Sequence, residues 1–376
     1  MKKLLSKPRV LTLLALGLAG SANAQSSVTV FGLLDANVGR TKGAPSGVTP
    51  TDVATTRQDS SGLSTSMWGL RGVEDLGGGF TANFELQSFI RNDTGQSGRN
   101  DAICAGPPAP APACSAVNVA ADPLFSKAAF IGLGSNELGR VRMGQITTAL
   151  WISSTGSNAL GDSTTYSPIN LLMFIGSPLA GGTGWSNSIA YDSPTFGGVN
   201  VNVQKSFGEG PSGGNYGGRV GYAAGPLGLS LGHTNVKKDP VTFSDGTSRN
   251  NTRNTLAAVT YDLQVVKLFG HIGWIKSDGS GSATLADDNI THKIWELSAA
   301  VPVGPGRIMV GYGARKGNER FASERRLASV GYSYYLSKRT DVYAVTRIDR
   351  NRAAGTTANA VEAKGLSYAL GIRHYF

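Results

Sequence analysis

Apolar and polar residues alternate along most of this chain, in runs of about ten that break at Gly, Asn, Asp or Pro, the period of strands with two chemically different faces. Val28, Val30, Leu34, Ala36 and Val38 share one face of a first strand from Ser27 to about Val38, while Thr29, Asp35 and Asn37 share the other. A hairpin over Thr65 to Gln87 sets Ser66, Trp68 and Leu70 against Thr65, Met67 and Arg71. It returns with Phe80, Ala82, Phe84 and Leu86 against Thr81, Asn83, Glu85 and Gln87, around a short glycine-rich turn from Glu74 to Gly79. Strands at about Leu124 to Gly134 and Arg140 to Gln145 flank the tight turn Ser135 to Gly139. Later, Val199, Val201 and Val203 oppose Asn200, Asn202 and Gln204, and the chain closes with Tyr368, Leu370, Ile372, His374 and Phe376 on one face.

From Ile146 to Gly184 the alternation stops. No Lys, Arg or His lies between Arg142 and Lys205, and Asp162 is the only carboxylate between Gln145 and Asp192, so this loop is polar, rich in small residues and nearly neutral. Connections of this length are functional or disordered. The apolar run Ile169, Leu171, Leu172, Met173, Phe174 and Ile175 would be costly in water, so the loop is expected to pack on something, inside a barrel; a disordered surface excursion is the other reading.

Short turns alternate with long polar loops throughout, and the runs number about sixteen, within the range of outer-membrane barrels that carry short periplasmic turns and longer outer loops. The expected fold is all-β, a transmembrane antiparallel β-barrel. No segment after the N-terminus offers the ~20 apolar residues a spanning helix needs. The mean hydropathy of -0.10 is compatible with either a secreted soluble protein or a barrel, because alternating faces average out. A terminal strand cannot stay an open edge in lipid, so the last strand must pair with the first. Trp68, Tyr191, Trp274, Trp295, Tyr332 and Tyr334 near strand ends fit interfacial girdles, or else sandwich-core packing.

Lys2, Lys3, Lys7 and Arg9 precede an apolar run from Val10 to Gly20 and then Ala22-Asn23-Ala24, the pattern of a cleaved export signal rather than a membrane anchor. The expected organisation is a leader over 1–24 and one barrel over 25–376. Of 35 Lys and Arg, four lie in the leader, so against 25 Asp and Glu the mature chain carries +6. Cys104 and Cys114 enclose a Pro-rich stretch; in an exported protein such a pair reads as a disulfide, and two thiols without a nearby His do not fill a zinc shell.

Several spaced segments, in order, resemble the Gram-negative general porins of the β-proteobacterial type. They are Ser26 to Gly32, Trp68 to Gly79, Asn187 to Pro194, Tyr335 to Asp341 and Gly371 to Phe376. The resemblance implies a sixteen-stranded water-filled barrel, a homotrimer in the outer membrane whose third outer loop folds inward, and a terminal aromatic, Phe376, that forms part of the assembly signal. It also implies a wall ladder of arginines facing acids on the loop. Here Lys127 keeps one charged wall position, whereas Met67, Gln145 and Gly184 stand where arginines are common, and the loop lacks a Pro-Glu-Phe-Gly-Gly type segment.

Four histidines, His233, His271, His292 and His374, are far apart in sequence, and no compact motif announces a nucleophile, its base and an orienting partner, so no enzyme activity is expected. Gly132 to Ser135 ends a strand rather than opening a helix and is no phosphate loop. Basic residues are dispersed rather than interleaved with stacking aromatics, which argues against nucleic acid. No cofactor or metal is expected. The function expected is passive passage of small ions and hydrophilic solutes; the alternatives are a substrate-specific porin and a plugged, surface-exposed binding or adhesion barrel. Charged inward positions, Asp35, Arg71, Glu85, Lys127 and Arg142, favour a wet lumen, since unpaired charge is expensive to bury. By strand parity Arg219, Lys267, Arg307, Arg315 and Arg347 join them against Glu296 and Asp349, with Asp162 on the loop, so a modest anion preference is expected.

Overall fold

A computed structural model describes residues 27–42, 54–99, 124–174, 182–208, 214–242, 248–279, 289–318, 324–354 and 360–376. The strand segments are β1 (Ser27–Thr41), β2 (Thr55–Ser60), β3 (Met67–Gly77), β4 (Phe80–Arg91), β5 (Gln96–Ser97), β6 (Ala128–Ser135), β7 (Gly139–Thr147), β8 (Gly184–Asp192) and β9 (Val199–Ser206). They continue as β10 (Tyr216–Ala224), β11 (Leu227–Thr242), β12 (Ser248–Asp262), β13 (Lys267–Gly279), β14 (Ile290–Val303), β15 (Gly306–Gly317), β16 (Glu324–Tyr335), β17 (Thr340–Ala354) and β18 (Ala360–Tyr375). Sixteen of these form a closed antiparallel barrel. The other two are accessories: β2 runs beside β1 from Ala36 to Thr41, where β3 has left it, and β5 folds back on the end of β4.

Closure joins Leu33 to Tyr375 through Arg40 to Tyr368. The seam ends on a reciprocal backbone pair, Gly32 N–H to Phe376 O and Phe376 N–H to Gly32 O, each 3.1 Å. With every strand paired on both sides, the sheet can stand in lipid without an open ladder. Exposed Val30, Leu133, Leu231, Leu297, Val330 and Leu370 lie on the outer face, and the polar or charged residues one position away lie on the inner face. Short turns gather at one rim. In the β6–β7 turn Gly139 has φ 83°, and a Cβ there would stand 2.3 Å from the Asp192 carbonyl, so only glycine makes this bend.

Two expected boundaries move. Leu124 to Lys127 lie outside β6, because side chains replace the ladder there: the Phe89 N–H donates to Ser126 Oγ at 3.4 Å, and Gln145 Nε2 donates to the Ser126 carbonyl. The long loop is narrower than expected, since Ile146 and Thr147 complete β7 and Gly184, paired with Thr147, opens β8. Residues 1–24, Ile175 and the Cys104–Cys114 pair lie outside the described residues.

Inside the loop, Thr148 caps helix α1 (Ala149–Thr155), its Oγ1 accepting the Trp151 N–H at 3.3 Å, and Pro168 opens α2 (Pro168–Met173). Ile169, Leu171, Leu172, Met173 and Phe174 join Leu150 in one buried cluster with Leu256, Ile275, Ile294 and Leu327 from the inner faces of β12, β13, β14 and β16. A second cluster sets Ala159, Leu160 and Tyr166 against Phe269, Ala300, Met309, Tyr343, Val345 and Ala369. The inner wall thus carries apolar patches on this side, and the loop's apolar run covers them. Neither surface would be stable in water alone.

Candidate functional site

The inner wall opposite the loop is built by β1, β3, β4, β6 and β7. Cross-strand pairing places Arg71 opposite Glu85, Glu85 opposite Phe130, and Gly132 opposite Arg142, all on one face. Met67 lies on the same face as Arg71, half-buried between Leu33 and Phe89. Gln145 is held near this wall by the Ser126 carbonyl. Lys127 stands just before β6, its backbone N–H donating to the Gln87 carbonyl at 3.0 Å. Burial holds its ammonium below the ordinary lysine pKa; Asp162 and Glu85 pull it back up and Arg99 pushes it further down. The lone carboxylate of the loop therefore lies near the one charged wall position singled out from the sequence. Asp162 also accepts the Thr65 N–H at 3.2 Å, tying the loop to the chain that enters β3.

Asp35 does not line an open path. It is fully buried, and its Oδ2 accepts the N–H groups of Leu63 (2.8 Å) and Ser64 (2.7 Å) while Oδ1 accepts the Tyr343 hydroxyl at 2.6 Å. Arg373, beside it across the seam, donates to Ser64 Oγ at 2.9 Å and pairs with Asp341 at 2.8 Å. This network pins residues 61–66 to the wall, and Ser163 Oγ reaches the same segment through the Gly62 carbonyl at 2.8 Å.

Other wall charges compensate one another. Arg142 and Arg140 share Asp192, at 2.8 and 3.2 Å; Arg325 pairs with Asp349 at 2.6 Å, with Arg347 at 3.8 Å from the same carboxylate. Arg142, Glu296, Arg347 and Asp349 are buried, so they contribute to local order more than to a free field. Arg140, Asp192, Arg325, Asp341 and Arg373 were missed from sequence although strand parity places them inward. What parity alone cannot supply is the pairing, because partners such as Arg142 and Asp192 lie on separate strands.

The neutral loop meets the wall through carbonyls instead of carboxylates. Arg315 donates to the Leu172 carbonyl at 3.2 Å, Arg347 donates to the Thr165 carbonyl, and Ser329 Oγ donates to the Tyr166 carbonyl at 2.6 Å. His271, unremarkable in sequence, is a fourth anchor: one ring nitrogen is 2.9 Å from Ser157 Oγ, the other 2.6 Å from Glu296 Oε2. Ser, His and Glu are here in a hydrogen-bonded row, but all are buried between loop and wall, where the row fastens the loop. Asn170 staples the loop internally, its amide donating to the carbonyls of Gly161 and Ser163, both at 2.9 Å. Among the described residues no group of His, Cys, Asp and Glu is arranged to hold a metal, and no helix is long and apolar enough to cross a membrane, which says nothing of strands.

A closed sixteen-strand barrel, apolar outside and charged within, defines an outer-membrane channel protein. Residues 10–354 match the family model for Gram-negative porins. The chain is 31% identical to outer membrane porin protein 32 of Delftia acidovorans, over 98% of this chain and 95% of that protein. It is 25% identical to an outer membrane porin protein of Bordetella pertussis, over 96% and 97% of the two chains. A solved structure similar to it is the anion-selective porin from Comamonas acidovorans, with 27% identity and a TM-score of 0.74 over 94% of this chain and 100% of that one. At 12% identity, the outer-membrane protein OmpT of Vibrio cholerae shares the fold, with a TM-score of 0.64 over 94% of this chain and 100% of that one. The chain belongs to the Gram-negative porins, and is a non-enzymatic diffusion channel of the outer membrane.

Proposed function

We propose that this channel prefers anions modestly and that the loop between β7 and β8 narrows its lumen. The observation that carries the preference is a charge imbalance. Arg71, Lys127, Arg219, Lys267 and Arg307 face inward without a salt bridge among the described residues, against Glu85 and Asp162 and, at the rim of short turns, Asp75 and Asp262 as acids in the same condition. A lumen lined by one sign concentrates counter-ions, and salt screens the effect beyond roughly 10 Å at 0.1 M, so the preference is expected to weaken as salt rises. The similar Comamonas acidovorans porin is described as anion-selective, which supports the same reading.

Reversal potential across a planar bilayer in a salt gradient tests it. Lys127→Glu is expected to shift the potential toward cations and Asp162→Asn to increase the anion preference; a cation-selective wild type in dilute salt overturns the reading. Because the Lys127 pKa lies below the ordinary lysine value, its positive charge is present in acid and lost as pH rises through that lowered value. The anion preference is therefore expected to fall on the alkaline side, and Lys127→Arg to abolish that fall because guanidinium stays charged.

Three further assignments belong to this reading. The leader is removed before Gln25, the barrel assembles as a homotrimer, as porin homologues do, and Cys104 and Cys114 are oxidised in the exported protein. Intact-mass measurement after alkylation without reductant is expected to show neither thiol modified; two alkylated thiols refute the disulfide.

A further inference from the structure

One construction occurs twice on the wall facing the loop. Phe31 of β1 is paired across the ladder with Gly69 of β3, and Phe130 of β6 with Gly144 of β7. In each case an arginine two residues from that glycine, toward the rim of short turns, lies over the ring: Arg71 over Phe31 with its guanidinium carbon 4.8 Å from the ring centroid, and Arg142 over Phe130 at 5.1 Å. The glycines make room for this. A Cβ at Gly69 would lie 3.2 Å from Phe31 Cζ and 2.5 Å from the Leu86 carbonyl, and one at Gly144 would lie 2.9 Å from Phe130 Cα. The two units are adjacent, since Arg71, Glu85 and Phe130 are successive partners across three strands.

The two arginines differ in one respect. Arg142 is buried, with Nε and Nη2 occupied by Asp192 at 2.8 and 3.1 Å. Arg71 is exposed and, among the described residues, has the Phe31 ring as its partner but no carboxylate or carbonyl. Glu85 lies between the units, its Oε1 accepting from Gln87 Nε2. A guanidinium held by an aromatic ring on one side keeps its other face and its N–H edge for a ligand, and that edge fits a carboxylate in two-point contact.

We infer that Arg71 on Phe31 is a binding site for planar aromatic carboxylates in transit. The carboxylate meets the free N–H edge of Arg71, and the flat ring lies along the half-buried Phe31 ring. This inference rests on the open, anion-preferring lumen proposed above and names the solutes that the wall favours. A compact anion such as chloride uses the charge alone, and a puckered carboxylate of the same size uses the charge but not the stack.

The test compares block of single-channel chloride current by benzoate and by cyclohexanecarboxylate, which share charge and approximate size but differ in planarity. Single-channel recording reads only inserted barrels, so variants that misassemble do not confound it. Benzoate is expected to block at roughly threefold to thirtyfold lower concentration, the range a ring–cation contact supports. Arg71→Lys, which keeps the charge and loses the plane, is expected to bring the two probes to equal potency, as is Phe31→Leu, which removes the support. Glu85→Gln is expected to strengthen block by both probes equally. Equal potency of the two probes on an anion-preferring wild type overturns the stacking inference and leaves the anion reading standing. A cation-preferring reversal potential on the same membrane overturns the anion reading itself.

Discussion

Deleting Phe376 is expected to lower the amount of heat-modifiable barrel in the outer membrane about tenfold or more, while channels that do insert keep wild-type conductance. Phe376 supplies both halves of the last backbone pair at the seam, to the N–H and carbonyl of Gly32. Its ring also fills the space over Gly32, where a Cβ would stand 2.3 Å from Phe376 Cζ. Removal leaves two backbone groups of β1 unpaired at the edge of the apolar band. An unsatisfied group in hydrocarbon costs several kcal/mol, and ~1.4 kcal/mol already corresponds to a factor of ten. Gly32→Val attacks the same contact from the other strand and is expected to reduce assembly in the same direction. Conductance is spared because the ring lies on the outer face, away from the solute path. Wild-type levels of heat-modifiable protein from the truncated chain would refute the role given to this residue.

Leu172→Asp is expected to release α2 of the long loop from the wall and raise single-channel conductance without preventing barrel formation. Leu172 is fully buried in the cluster with Leu256, Ile275, Ile294 and Leu327. Burying a leucine contributes roughly 1.5–3 kcal/mol, and an unpaired carboxylate in its place adds a desolvation cost of several more. Fastenings elsewhere along the loop, Ser157 to His271, Ser329 to the Tyr166 carbonyl, Arg347 to the Thr165 carbonyl and the second cluster around Leu160 and Tyr166, are untouched, so the loop is expected to lift at α2 while its other contacts hold. Barrel ladders are untouched by the change. A conductance equal to wild type, in a variant whose loop has become protease-sensitive, would show that the loop does not set the width of the path.

Strand positions and face assignment were legible because both are local. Val28, Val30 and Val38 against Asp35 and Asn37 state the period of β1 without reference to any other strand, and the resemblance of Gly371 to Phe376 to a porin C-terminus needs only adjacent residues. The apolar run at Ile169 to Phe174 likewise announced that the loop must find a partner, and the buried cluster supplies it. The error of a few residues at Leu124 to Lys127 arose where side chains such as Ser126 and Gln145 stand in for ladder bonds, and that at Ile146, Thr147 and Gly184 where the ladder continues past a register shift at Gln145; alternation registers neither.

By itself the sequence determined a closed antiparallel barrel and its inner and outer faces, because an environment of lipid on one side and water on the other imposes a two-residue period on every strand. Only the tertiary structure decided which inward charges act on a solute. Asp35 became a buried clamp for residues 61–66, Arg142 an ion-pair partner of Asp192, and His271 a fastening for the loop, whereas Arg71 alone of the two stacked arginines kept a free edge. Charge becomes field only where it is uncompensated, and compensation depends on side chains that meet across strands and loops far apart in the chain.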